Sequence, residues 1–383
     1  MSSSGQQDAS SSAAEVAAAF EPRRLRQARH LARITKQKLS ERVAVSAAAI
    51  GQYESGINSP RPEVLERLAR ELGQPIRFFA SGRPFAPLEA SDTHFKTLRS
   101  TTVGERQKAL AFTEQVWELM HALERWVQFP PLSLPEPPEA ADKPARVQAR
   151  IAADAIRDHW GIPQGQPFPH LTRTAETQGI LVVFADFAGA DEVARVSAFS
   201  TSKLSRPIVV TPPDRVDDVY THRFNLAHEI GHLILHREDV HGEVEIERQA
   251  NAFAGELLLP EKTMRNTLPT RVDWNVLAEL SAVWGVEVKA LIYRARELGM
   301  LSDSAARRAY QRLQAFRNAG LFGPSPTARY EGESPVLLRR AFEYAQTQGV
   351  TIGSLAYDLG WNEAAVERLV GTTDPRPQLR ALL

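Results

Sequence analysis

The sequence predicts an α+β protein that is mostly helical, with an all-α N-terminal domain, a central domain containing a small β-sheet, and a C-terminal helical region. Three observations carry this expectation. Apolar residues recur at three- and four-residue spacing through most of the chain, as in Ala109, Phe112, Val116, Leu119 and Leu123. The β-rich runs, Gly179 to Phe184, Val196 to Ser200 and Pro207 to Thr211, are short and lie close together. Between these regions the stretch FPPLSLPEPPEAADKP holds six prolines and cannot continue a helix.

A chain of 383 residues is long for one core, so two or three domains are expected. Residues 1–19 are rich in Ser, Ala and Gln without periodicity and read as a disordered tail. Residues 20–82 form a run of short helical patterns broken by small turns. Residues 83–128 contain one long connecting helix, whose apolar stripe suits bridging of domains or a homodimer. A Pro-rich linker is expected at 129–145, the central domain at 146–265 and the helical region at 266–383. Within the last region, Leu277 to Leu298 and Ile352 to Val370 look like helix-turn-helix pairs.

Composition narrows the chemistry. Apolar residues make up 43% and charged residues 24%, the balance of a globular protein. There are 0 cysteines, so disulfides, thiolate metal sites and a cysteine nucleophile are excluded and any metal must sit on His and carboxylates. No apolar run approaches the roughly 18 residues of a membrane span, and the N-terminus lacks the basic stretch of a signal peptide, so no membrane partner and a cytoplasmic location are expected. Net formal charge is zero, yet twelve Lys/Arg face six Glu between Phe20 and Ala80, which points to a polyanion partner at that end.

The segment HRFNLAHEIGHLILH contains His228-Glu229-Ile230-Gly231-His232. Two histidines four apart on a helix share one face and can both reach a zinc ion, while Glu229 lies beside the open position as a candidate catalytic base. The plainer alternative is two solvated histidines flanking a helical glutamate. His236, eight residues after His228, is too far along a helix axis to join the same ion, and the compact HExxHxxGxxH pattern is absent. A carboxylate from the next helix remains, with Glu247 favoured and Glu243 and Glu245 as weaker choices. Asn251 stands one turn beyond Glu247 and can hydrogen-bond a ligand as an outer partner. Tyr220, His222 and Arg223 are the nearby candidates for polarising a carbonyl, and none is singled out by sequence. The run Val196 to Ser200, taken as a sheet edge, could add a substrate backbone as an extra strand.

Arg223 to His236 followed by Glu247 to Pro260 resembles the ImmA/IrrE family of metallopeptidases, with similarity from about Arg146 to about Met300. The resemblance implies a zincin-like domain, zinc held by His228, His232 and Glu247, and cleavage of a repressor-type protein. Gln249 departs from the family, where an acid is common. Separately, the segment Thr35 to Gly56 resembles the second and third helices of XRE (Cro/repressor-like) helix-turn-helix domains, with similarity from about Arg23 to Phe79. Ser46 is a suitable N-cap for the recognition helix, Lys36 and Arg42 would meet phosphates, and Ala47, Ala48, Gly51 and Gln52 occupy base-facing positions of double-stranded DNA. Among these only Gln52 can read a base by paired hydrogen bonds, so weak sequence preference is expected.

The combined expectation is a zinc endopeptidase fused to a DNA-binding domain and acting on a repressor. Two alternatives stay open: a non-catalytic regulator whose zincin-like domain senses a ligand, and one half of a toxin–antitoxin or phage-defence pair.

Overall fold

Local capping explains where the first helices begin. In the computed structural model, which describes residues 12–89, 94–95, 102–136, 142–184, 198–201, 203–211, 218–236, 243–325 and 330–371, Ser12 and Glu15 form a reciprocal capping box at the start of α1 (Ala13–Ala18). This helix falls where a disordered tail was expected. Its capping box and Val16, buried against the rest of the unit, give these residues an anchor that composition does not reveal. Residues 1–11 of the expected tail lie outside the described residues.

Four further helices follow: α2 (Pro22–Leu31), α3 (Lys36–Val43), α4 (Ala47–Glu54) and α5 (Pro62–Glu71). Thr35 Oγ1 accepts from Lys38 N at 3.2 Å, and Ser46 Oγ accepts from Ala49 N at 3.0 Å, so α3 and α4 each carry an N-cap. Leu25, Leu39, Val43, Ile50, Leu65 and Leu68 form the buried side of this bundle.

The long helix α6 (Val103–Leu123) opens with a Thr102–Glu105 capping box. Its stripe of Ala109, Phe112, Val116, Leu119 and Leu123 is buried within its own unit, where α6 packs against α2 and α16 (Ile352–Leu359). The apolar face proposed for a homodimer is therefore already covered. Arg24 and Glu118 pair at 2.5 Å, both almost fully buried, and Gln27 Nε2 donates to Glu118 at 3.0 Å. These contacts tie α6 to α2 with polar as well as apolar groups.

The chain divides into two compact units. The first comprises 1–90, 101–128 and 338–383, and the second comprises 91–100 and 129–337. The region 266–383, read from sequence as one helical region, is thus shared: α11 (Glu261–Thr267), α12 (Trp274–Trp284), α13 (Val288–Glu297) and α14 (Asp303–Asn318) belong to the second unit, whereas α15 (Leu337–Thr347) from its second residue on, α16 and α17 (Glu363–Val370) belong to the first. The cause is packing of α16 on α6, a long-range contact with no local signal.

In the second unit, α7 (Ala145–His159) and α8 (Leu171–Thr177) precede the strands β2 (Leu181–Phe184), β3 (Phe199–Thr201) and β4 (Ile208–Thr211). Strand order is β1-β3-β4-β2, with β1 supplied by His94–Phe95. The β2–β4 pair is parallel, and the β3–β4 and β1–β3 pairs are antiparallel. The run expected as a sheet edge is therefore not one at Phe199 and Ser200, because the backbone of Phe95 and His94 pairs with them. Residues 196 and 197 of that run lie outside the described residues. Helices α9 (Val219–Leu235) and α10 (Glu243–Leu258) complete the layer that carries the site, and one continuous apolar core joins α7 through α14.

Candidate metal centre and nucleic-acid interface

Asp218 caps α9, its side chain accepting from the backbone of Tyr220. The helix then buries Leu226, Ala227, Ile230, Leu233 and Ile234 in the core. His228, Glu229 and His232 fall between these positions and are nonetheless at most 1% exposed. Such burial of three polar side chains requires partners.

Gly231 decides how closely α10 approaches. A Cβ at this position would stand 2.9 Å from Cδ1 of Phe253, closer than real Cβ atoms approach a neighbour. Glycine lets the α10 face of Ala250, Phe253, Ala254 and Leu257 settle against α9, and that contact carries Glu247 to the two histidines. Glu247 Oε2 lies 3.4 Å from His228 Nε2, Glu247 Oε1 lies 3.4 Å from His232 Nε2, and the two Nε2 atoms are 3.0 Å apart. Among the described residues, His228, His232 and Glu247 are the group of three whose ligand atoms could hold one metal ion.

The donor set can be tested against an ion. Four-coordinate zinc with bonds of ~2.0–2.1 Å places neighbouring ligand atoms about 3.3 Å apart, close to all three separations here. Two imidazoles and one carboxylate also leave one tetrahedral position for water or substrate, as in a catalytic rather than a structural site. Burial works against ionisation of Glu247, but the His228 and His232 rings beside it outweigh burial and lower its carboxyl to about 2. The group is a carboxylate at neutral pH.

The outer contacts are specific. Asn251 Oδ1 is 3.1 Å from His228 Nδ1, so the two helices meet again behind the His228 ring. Ser200, fully buried in β3, donates through Oγ to Glu229 Oε2 at 2.8 Å. This contact fixes the carboxylate of the candidate base, and sequence reasoning missed it, because Ser200 was seen only as part of a strand. His236 was excluded as a ligand on the assumption of a continuous helix. In fact α9 ends at Leu235, and His236 turns its ring back so that its Nδ1 lies 3.0 Å from His232 Nδ1. Burial is the main force lowering its pKa to about 4, against a raising hydrogen bond to Gln249 Oε1.

Glu245 is exposed and pairs with Arg248 at 3.0 Å, which leaves it off the cluster. The side chain of Glu243 lies outside the described residues. The three candidates for polarising a carbonyl are engaged elsewhere. Tyr220 meets the Tyr330 hydroxyl at 2.9 Å, and His222 Nε2 meets Thr172 Oγ1 at 2.9 Å. Arg223 pairs with buried Glu333 and donates to the carbonyls of Gly285 at 3.0 Å and Phe168 at 2.6 Å.

In the first unit, the exposed side of α3 and α4 presents Lys36, Arg42, Ser46, Ala48 and Gln52, with Ala47 half-buried. The side chain of Ser46 is used as a cap, and Gln52 Oε1 accepts from Asn58 Nδ2 at 2.9 Å. Lys36 lies 3.1 Å from Glu54, which also holds Arg29, and Arg42 pairs with Glu71. Arg24 and Arg33 face Glu118 and Glu105 of α6. These two acids lie outside the segment whose charges were counted, so the basic excess read from sequence is partly neutralised by a helix distant in the chain. Arg26, Lys38, Arg61 and Arg70 are exposed on the same unit.

The search of curated proteins found no match to the chain. Residues 175–296 match the family model of the IrrE N-terminal-like domain of the peptidase M78 family. Residues 23–76 match the model of a helix-turn-helix domain. The first range contains α9, α10 and the whole His228–His232–Glu247 cluster, and the second contains α2 from its second residue through α5. The chain therefore joins an N-terminal helix-turn-helix domain to an ImmA/IrrE-type M78 domain.

Proposed function

We propose that this protein is a zinc-dependent endopeptidase that cleaves a transcriptional repressor or related regulatory protein and is held near its target by DNA binding. The observation that carries the reading is the convergence of His228 Nε2, His232 Nε2 and the Glu247 carboxylate within 4.8 Å of one another, with Glu229 on the same helical turn. Zinc, when bound, supplies Lewis acidity that polarises a peptide carbonyl and acidifies water toward a pKa of ~7.

The protein's own groups do the rest. Glu229, held through Oε2 by Ser200, takes the proton of the attacking water and passes it to the departing amine. Its burial excludes competing solvent and strengthens each electrostatic contact around the reacting bond. His228 and His232 turn Nε2 inward while Asn251 and His236 take up their Nδ1 sides.

The test is metal content. Purified wild-type chain is expected to retain one zinc per chain, and Glu247→Ala to lose it during dialysis against a mild chelator, as read by atomic emission. Equal zinc in both proteins removes Glu247 from the ligand set, and no zinc in either removes the peptidase reading.

The DNA half makes a separate prediction. Only Gln52 among the base-facing positions can read adenine, so Gln52→Ala should cost about 1–3 kcal/mol on a duplex selected from a random pool. Its affinity for unrelated duplexes, and the salt dependence set by phosphate contacts, should stay as in the wild type. Fluorescence anisotropy across a salt series reads both, and an equal loss on all duplexes would assign Gln52 to the phosphate backbone instead.

A further inference from the structure

Behind His232 runs a chain of hydrogen bonds that ends on a backbone carbonyl. Gln148 Nε2 donates to the carbonyl of Lys143 at 2.7 Å. A carbonyl only accepts, so this contact fixes which end of the Gln148 amide is the donor. Gln148 Oε1 must then accept, and it does so from Gln249 Nε2 at 2.8 Å. That orients the Gln249 amide in turn, with Oε1 facing His236 Nε2 at 2.9 Å. His236 Nε2 must carry hydrogen, which leaves its Nδ1 as an acceptor. The atom 3.0 Å from that acceptor is His232 Nδ1, which must therefore carry the hydrogen. His232 Nε2 is left with a bare lone pair on the side of His228 and Glu247.

We infer that Gln148, Gln249 and His236 form a positioning relay that locks His232 in the one tautomer able to bind a metal through Nε2. The inference rests on the metal-centre reading above and deepens it. A neutral imidazole in water exchanges between tautomers, and only one of them offers its lone pair to the ion. Selecting that form before metal arrives removes the cost of selecting it on binding, and it also fixes the ring plane. The relay draws on three elements: α7 supplies Gln148, α10 supplies Gln249, and His236 is the residue that ends α9. Their meeting therefore couples the tautomer of a ligand to the packing of the layer. Amides serve here because each can donate at one end and accept at the other, which passes the direction along without a charge.

The relay is tested by zinc affinity of the full-length protein, measured by competition with a chromogenic chelator and so independent of any substrate. His236→Leu and Gln249→Leu are each expected to weaken zinc binding about 10–100-fold. Gln249→Glu keeps an acceptor opposite His236 Nε2 and is expected to stay within about threefold of wild type. A role in packing alone does not separate Gln249→Leu from Gln249→Glu in this way. Long-range ¹⁵N–¹H spectra give a second reading that needs no variant to fold. In zinc-loaded wild type, His236 should carry hydrogen on Nε2 and His232 on Nδ1. Wild-type affinity in both leucine variants, or hydrogen on His236 Nδ1, overturns the relay while leaving the metal centre intact. A wild-type protein that binds no zinc overturns both.

Discussion

Glu229→Gln is expected to keep zinc at the wild-type stoichiometry and to lower kcat/KM for peptide-bond hydrolysis by about 10²–10⁴-fold. That range corresponds to roughly 3–5 kcal/mol of transition-state stabilisation. The amide has nearly the shape of the carboxylate and can still accept from Ser200 Oγ, which lies 2.8 Å from Oε2 in the wild type. What it lacks is the ability to take a proton from water. The proposed metal ligands His228, His232 and Glu247 are untouched, so bound zinc separates a lost base from a lost site. The comparison is made on the same repressor substrate, in vitro and in cells. Equal cleavage would remove Glu229 as the base, and equal regulation in cells without cleavage would favour a sensing, non-catalytic M78 domain.

Arg223→Met is expected to destabilise the second unit by about 3–5 kcal/mol, the cost of removing one partner from a buried ion pair. Arg223 is 5% exposed and Glu333 2% exposed. The guanidinium also closes the α12–α13 turn from below: Nε donates to the Gly285 carbonyl at 3.0 Å, and a Cβ at Gly285 would stand 2.9 Å from Nε. Its removal leaves the Glu333 carboxylate with amide donors from Leu171 at 3.0 Å and Thr172 at 3.2 Å but, among the described residues, without its ion-pair partner. For a unit of this size the thermal midpoint should fall by about 10 °C. Calorimetry of the metal-free chain checks it. The double change Arg223→Met with Glu333→Leu should recover a large part of the loss, because the stranded charge is gone. A single-variant loss under about 1 kcal/mol would show that the pair is held by its neighbours and not by its charges.

Much of the site was legible in the sequence because its determinants are local. The HExxH spacing makes two imidazoles share a helix face wherever that helix is placed, and Glu247 and Asn251 share a face of the next helix for the same reason. The features that escaped notice depend on distant residues. Ser200 reaches Glu229 from a strand 29 positions away, and the backbone pairing of β1 with β3 joins residues more than a hundred apart. The pairing of Arg24 and Arg33 with α6 likewise reduced a basic excess that a local count had overstated. His236 shows the opposite case, where its exclusion as a ligand concealed its contact with the His232 ring, because the helix ends one residue earlier than the pattern implied.

By itself the sequence determined which residue types stand one helical turn apart, and hence the chemistry available on each helix: two imidazoles and a carboxylate on α9, a second carboxylate and an amide on α10, and capped short helices at the N-terminal end. Helical periodicity is a property of neighbouring residues, so it survives without knowledge of the rest of the fold. Tertiary structure alone decided how far apart those faces lie, which groups meet each imidazole, which cations are already paired, and that the last helices join the first unit. These outcomes depend on close packing between segments remote in the chain, such as Gly231 against Phe253, where a single added carbon would move the acid away from the histidines.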